Sequence, residues 1–116
     1  MGNVGQVNWP FGSGPAVIAL TATGAQAITV NNQFTIVDGV TVQATGNRTI
    51  NVTIGANVKP GALLLSTNKT AGTETTTYGT NITSAVTTGV AGKTINQLFI
   101  YNGTAFVAAG AQQQID

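Results

Sequence analysis

The feature that most constrains the fold is the spacing of strand-forming runs and turn residues along the chain. Thr, Val and Ile are abundant, and these β-branched residues favour strands over helices. Gly, Asn, Asp and Pro interrupt the runs every several residues, and no stretch has the period of an amphipathic helix. Short strands at this spacing are typical of an all-β sandwich. The sequence therefore predicts an antiparallel β-sandwich built from hairpins.

An Asp-Gly pair at positions 38–39 predicts a turn between two of these strands. A three-residue loop there pairs Ile36 with Val40 and Phe34 with Val42, which places the apolar side chains on one face. Because register follows the buried face, we expect this loop rather than a two-residue one. The residues predicted for the core are Phe34, Ile36, Val40, Val42, Ile50, Val52, Ile54, Leu98, Ile100 and Phe106.

A second hairpin is predicted over residues 97–108, with Asn102-Gly103 as its turn. Residues 98–101 are apolar without alternation, so both faces of this strand lie in the core or at an interface. A turn at residues 59–61 precedes a strand over residues 62–66. The polar stretch that follows, 67–92, is interpreted as a long loop with a weak strand at residues 75–78.

The scarcity of charge excludes most enzyme chemistry. The chain of 116 residues has no His and no Cys, and only 6% of its residues are charged. Nearly all general acid–base and metal catalysis needs such groups in a cluster. We therefore predict a protein that is not an enzyme and has no catalytic, cofactor-binding or metal-binding residues. The charged residues are Asp38, Glu74, Asp116, Arg48, Lys59, Lys69 and Lys93.

The same composition argues against nucleic-acid and membrane partners. A net charge of +1 without a basic stripe offers no face for phosphates. No apolar run is long enough for a transmembrane helix, and no signal peptide is expected at the start. A surface of Thr and Asn with so little charge instead suggests continual contact with other protein subunits.

The first residues carry the only Trp of the chain and are expected to differ from the rest. We predict an extended N-terminal arm over residues 1–15 and a single β-sandwich domain over residues 16–116. The aromatic residues of the arm allow two interpretations: they cap the domain's own core, or they anchor it in a neighbouring subunit. On the second interpretation the partner-binding residues are Trp9, Phe11, Val4 and Val7, with Tyr101 from the domain.

The C-terminal stretch TTGVAGKTINQLFIYNGTAFVAAGAQQQID, residues 87–116, resembles the ends of small virion proteins of tailed phages. The shared form is a strand, an Asn-Gly turn, an aromatic strand and an Ala-Gly-Ala tail. The relatives it suggests are auxiliary (decoration) capsid proteins, including those of crAss-like phages. The resemblance implies a β-rich protein on the capsid surface of the virion, and it supplies no catalytic residues.

These observations lead to one principal function and two alternatives. We expect a structural virion protein that binds the major capsid protein or other virion subunits in many copies, as single chains or as a homo-oligomer, and stabilises the capsid. The first alternative is a head-fibre or tail-fibre module. The second is a carbohydrate- or cell-surface-binding module, for which Tyr78 and Tyr101 are the only exposed aromatic residues that the sequence suggests.

Overall fold

Eleven strands and no helix form the part of the chain that the computed structural model describes, residues 15–116. The strands follow the β-branched runs that the sequence analysis identified. In chain order they are β1 (Ala16–Ala19), β2 (Gly24–Val30), β3 (Phe34–Ala44), β4 (Arg48–Ile54), β5 (Leu63–Thr70), β6 (Thr75–Tyr78), β7 (Ile82–Thr83), β8 (Thr87–Thr88), β9 (Thr94–Tyr101), β10 (Phe106–Ala108) and β11 (Gln113–Gln114).

The first six strands alternate between two sheets, so the chain winds as a solenoid. Each turn of this solenoid, called a coil below, contributes one strand to each sheet. In the first sheet β1, β3 and β5 lie side by side and parallel, and in the second sheet β2, β4 and β6 do the same. Antiparallel strands lie next to them, β9 between β5 and β10 and β8 beside β6, and β7 pairs parallel with β10 at the end of the first sheet. The first sheet has the order β1-β3-β5-β9-β10-β7, with β11 beside β9, and the second has the order β2-β4-β6-β8. The all-β sandwich is thus confirmed, but hairpins build only its C-terminal part.

Asparagine side chains join successive coils where the chain passes between the sheets. The Asn31 side-chain oxygen accepts a hydrogen bond from the Asn57 amide at 3.1 Å. The Asn47 side-chain oxygen accepts one from the Thr75 amide at 3.0 Å. Such bonds satisfy backbone donors that leave the strand ladders, which explains why Asn is so common at these positions.

The predicted hairpin at Asp38-Gly39 is wrong. Strand β3 continues through this pair and stays parallel to β5, with a shift of register after Gly39. The Asp38 carboxylate accepts hydrogen bonds from the amides of Val40 and Thr41, so the Asp-Gly pair forms a bulge within a strand. The hairpin at Asn102-Gly103 is confirmed, because β9 and β10 pair antiparallel across it.

The turn at residues 59–61 is also confirmed, since the Ala62 amide donates to the Lys59 carbonyl at 3.0 Å. The strand predicted over residues 62–66 runs further, to Thr70. The predicted weak strand at residues 75–78 is present as β6. The remainder of the stretch 67–92 is more ordered than a long loop, because β7 and β8 also lie within it.

The core lies between the two sheets, and six of the ten residues predicted for it lie elsewhere. Ile50, Val52 and Phe106 are buried there, and Ile54 packs against it, as predicted. The other six predicted residues lie outside the core cluster, because β3 and β9 present the opposite set of side chains to it. These six are Phe34, Ile36, Val40, Val42, Leu98 and Ile100. The inward residues of the same strands include Val37 and Phe99, both fully buried.

Candidate functional site: an apolar outer face

The first sheet turns two rows of apolar side chains away from the core. Residues of each row lie opposite one another on four neighbouring strands, so the rows run across the sheet. We call the two rows together the outer apolar face. The first row is Val17, Ile36, Leu65 and Leu98, and the second is Phe34, Leu63, Ile100 and Val107.

Burial along β9 shows the orientation of these rows. Phe99 is 0% exposed, whereas its neighbours Leu98 and Ile100 are 36% and 40% exposed. Strand β5 behaves in the same way, with Leu64 fully buried between two half-buried leucines. Alternation therefore places one apolar set in the core and a second apolar set on the surface.

The outer apolar face has a defined edge. The next row along the strands is Ala19, Asp38, Thr67 and Asn96, which is mainly polar. No charged residue lies in the two apolar rows. With strands spaced about 4.8 Å apart, each row is about 14 Å long. A contiguous apolar patch with a polar boundary is the usual form of a protein-docking surface.

The inner side of the first sheet is polar toward the C-terminal end of β5, beyond the strand positions that carry the outer apolar face. Along β5 the inward side chains change from Leu64 to Ser66, Asn68 and Thr70, all buried. The Asn68 side-chain amide donates to the Ser66 hydroxyl at 2.8 Å. The sheet thus buries polar groups at one end and exposes apolar groups at the other.

Arg48 is the centre of this polar cluster, and its side chain is fully buried. Its guanidinium donates to the backbone carbonyls of Thr21 and Val42 at 3.1 Å and to that of Gly39 at 3.0 Å. Burial lowers the pKa of Arg48 from its ordinary value, and the charge of Asp38 opposes that shift. The guanidinium also approaches the Asn68 side-chain oxygen at 3.5 Å, while its Nε has no partner among the described residues. The cluster therefore fixes the loop at Thr21 and the β3 bulge through its bonds to backbone carbonyls.

Hydrogen bonds also hold the Asp38 carboxylate and affect its pKa. The Thr41 hydroxyl donates to one carboxylate oxygen at 2.6 Å, and two backbone amides donate to the other. These bonds, the Thr41 hydroxyl first, lower the pKa of Asp38. The carboxylate is therefore committed to the bulge.

Tyr101, the one predicted partner-binding residue within the described part of the chain, does not lie on the outer apolar face. Tyr101 is half-buried and packs on the core side, with its ring 5.2 Å from that of Phe106. Its predicted contact with a partner stays a prediction. The other four, Trp9, Phe11, Val4 and Val7, lie outside the described residues. The sequence signal for the observed face was the absence of alternation at residues 63–65 and 98–101.

One of the two tyrosines predicted as candidates for sugar binding, Tyr78, is not at the surface. Tyr78 is 8% exposed, and its ring lies 5.0 Å from that of Phe99. Its hydroxyl shares a hydrogen bond of 2.7 Å with the Thr87 hydroxyl, and burial raises the pKa of Tyr78. Tyr78 is therefore a core residue and offers no platform for a ligand.

Within residues 15–116, no group of three His, Cys, Asp or Glu residues is arranged to hold a metal ion. The same part of the chain contains no helix of the length and hydropathy needed to cross a membrane. Comparison with protein-family models, with curated proteins and with solved structures returns no match for this chain.

Proposed function

We propose that this chain is a structural virion protein, an auxiliary (decoration) capsid protein that binds the major capsid protein lattice. The observation that carries the proposal is the outer apolar face, which places eight apolar residues on the surface of one sheet. The C-terminal resemblance to small phage virion proteins supports the same class. Docking would reinforce contacts between capsid subunits by burial of apolar surface, without chemistry.

The sheet itself supports a partner on this side. Parallel strands are usually found in sheets whose two faces are both covered. Here β1, β3 and β5 are parallel, one face is covered by the second sheet, and the other carries the apolar rows. A partner that covers the outer apolar face would give these strands the burial that parallel sheets normally have.

The size and charge of the face support binding in many copies. The outer apolar face consists of only two rows, each about 14 Å long. Its area is therefore small compared with the roughly 800 Å² that each partner buries in a stable single interface. In a repeating lattice, contacts between neighbouring bound copies would add to those of each modest site. With 6% charged residues, neighbouring copies also repel one another little.

The proposal is tested on particles of the phage whose genome encodes this chain. Quantitative mass spectrometry of purified particles would give the ratio of this chain to the major capsid protein. A fixed ratio that matches a lattice position, with the chain located on the capsid surface by electron microscopy, is the expected result. A few copies confined to the tail or to a single vertex would favour the fibre module. Absence from particles would contradict every virion function.

A further inference from the structure

The outer edge of β2 is available for a further strand. Within residues 15–116, β4 is the only strand that pairs with β2. The Gly24 amide donates to Asn47 at 2.9 Å, and the Val30 carbonyl accepts from Gly55 at 2.7 Å, both on the β4 side. Because backbone direction alternates along a strand, Ala25, Ala27 and Thr29 point their amides and carbonyls to the other edge. An uncharged edge of seven residues is a template for another strand.

We propose that residues 5–11 of the same chain form that strand, parallel to β2 in the second sheet. The chain would then alternate between the sheets once more, since this segment comes before β1 of the first sheet. Val7, Trp9 and Phe11 occupy every second position of the segment, with Gln6, Asn8 and Pro10 between them. That alternation is the pattern of a strand with one buried face.

The length of the connecting segment sets the register. Ala16 pairs with Thr35, and residues 31–34 connect the end of β2 to that position. Residues 12–15 would connect Phe11 to Ala16 over the same number of residues, and their sequence, Gly-Ser-Gly-Pro, suits a turn. Phe11 then lies opposite Val30, and the same offset pairs Trp9 with Ile28 and Val7 with Gln26.

This register places the aromatic residues on the buried side of the sheet. Gln26, Ile28 and Val30 are the inward residues of β2, between 0% and 5% exposed. Residues opposite one another on parallel strands face the same side, so Val7, Trp9 and Phe11 would extend the core at its β1–β2 end. Ile18, which is only partly buried there, would gain apolar neighbours.

Pro10 fits this arrangement, because its nitrogen has no hydrogen to donate to a neighbouring strand. In parallel strands, residues that face the same side also direct their amides the same way. The inward residues of β2 direct theirs toward β4, so Val7, Trp9 and Phe11 would direct theirs toward β2. The nitrogen of Pro10 then faces solvent, the position that an edge strand allows for proline. The alternation of apolar residues and the lack of an amide hydrogen on Pro10 therefore indicate the same orientation for the proposed strand.

Hydrogen exchange of the full chain, followed residue by residue by NMR, tests the pairing. We expect the amides of Ala25, Ala27 and Thr29 and those of Val7, Trp9 and Phe11 to be protected, with exchange at least ~100-fold slower than at Gln6 and Asn8. The protection should be the same at every protein concentration. Fast exchange at these six positions would overturn the proposal, and so would protection that appears only as oligomers form.

Fluorescence of Trp9 gives a second readout, because it is the only Trp in the chain. In the monomer its emission should be blue-shifted and shielded from acrylamide, and it should change together with the β-sheet circular dichroism on unfolding. Trp9→Ala should lower the urea midpoint, whereas the neighbouring control Asn8→Ala should leave it unchanged. Equal quenching of Trp9 in the native and unfolded protein, or equal midpoints for the two variants, would refute the proposed strand.

Discussion

Leu98 and Phe99 are neighbours on β9 with opposite environments, since Leu98 is 36% exposed on the outer apolar face and Phe99 is fully buried. Truncation of Phe99 to Ala should therefore cost about 3–5 kcal/mol of unfolding free energy through the cavity it leaves. Leu98→Ala should cost less than about 1 kcal/mol, because a half-exposed side chain has less burial to lose. Urea denaturation of the two variants measures both values. Equal costs would mean that the assigned faces of β9 are incorrect.

Gly39 should be intolerant of a side chain. A Cβ at this position would lie 2.6 Å from the Asn68 side-chain oxygen, 2.8 Å from the Arg48 guanidinium and 2.9 Å from the Thr67 carbonyl. Since the last of these is backbone, Gly39→Ala should destabilise the fold by about 1–3 kcal/mol. Gly72→Ala is the control, because its added Cβ would approach only the flexible Glu74 carboxylate, at 3.3 Å. Similar melting temperatures for the two variants would argue against the packing at Gly39.

Arg48 should be needed for its geometry as well as its charge. Arg48→Lys keeps a cation but lacks the fork that donates to three backbone carbonyls. We expect a loss of about 2–4 kcal/mol, since these carbonyls would lose their donors and that of Gly39 is buried. Lys93→Met, at an exposed cation, should change the unfolding free energy by less than about 0.5 kcal/mol. Chemical denaturation compares the two, and a loss as small as that of the control would contradict the role of Arg48.

Stability should be constant from about pH 5 to pH 9, because the chain has no His and the pKa values of Asp38 and Asp116 are lowered. The Thr41 hydroxyl, followed by backbone amides, lowers the pKa of Asp38, so this group stabilises the fold above its unfolded pKa of about 3.9, and that contribution is lost as the pH falls through its folded value. The pKa of Asp116 is lowered as well, chiefly by the Thr94 amide, and it adds to the acid decline.

At high pH, stability is lost as the pH rises, the opposite direction to the acid decline. Burial raises the pKa of Tyr78, so its contribution is complete below the unfolded value of about 10 and is lost above it. Melting temperatures from pH 3 to pH 11 should show a plateau with a decline at each end. Asp38→Asn should reduce the acid decline only. A steep change between pH 5 and pH 9 would show that another titrating group or a bound ion controls stability.

The sequence predicted the strands and the local turns better than it predicted which strands are neighbours. β-branched runs and the Asn102-Gly103 and Pro60-Gly61 pairs act locally, so the all-β class, the C-terminal hairpin and the turn at residues 59–61 were predictable. The winding was not, because a strand in a coil pairs with the strand two positions further along the chain, and no local signal marks that partner. An Asp-Gly pair favours a hairpin turn and a bulge alike, and here it forms a bulge in which Gly39 lies against Arg48.

The candidate site was only partly predictable, for a related reason. The hydrophobic pattern assigns apolar residues to the core by default, and this rule failed for Phe34, Leu98 and Ile100. Their strands bury polar residues such as Thr35 and Gln97 instead. Arg48 satisfies part of that polar interior through contacts that are distant in sequence. The unalternating runs at residues 63–65 and 98–101 indicate two apolar faces, but they do not say which one faces solvent.

Binding of charged variants to capsids is the most direct test of the outer apolar face. The double variant Leu98→Lys/Ile100→Lys places two cations at its centre, and Val86→Lys/Val90→Lys places them on exposed valines elsewhere, 47% and 45% exposed. Denaturation first shows that both double variants are folded. Their binding to particles that lack this chain is then compared with that of the unmodified chain. We expect the first variant to bind at least about 100-fold more weakly, since burial of an unpaired charge costs several kcal/mol. Undiminished binding of the first variant, or an equal loss in the second, would contradict docking through this face.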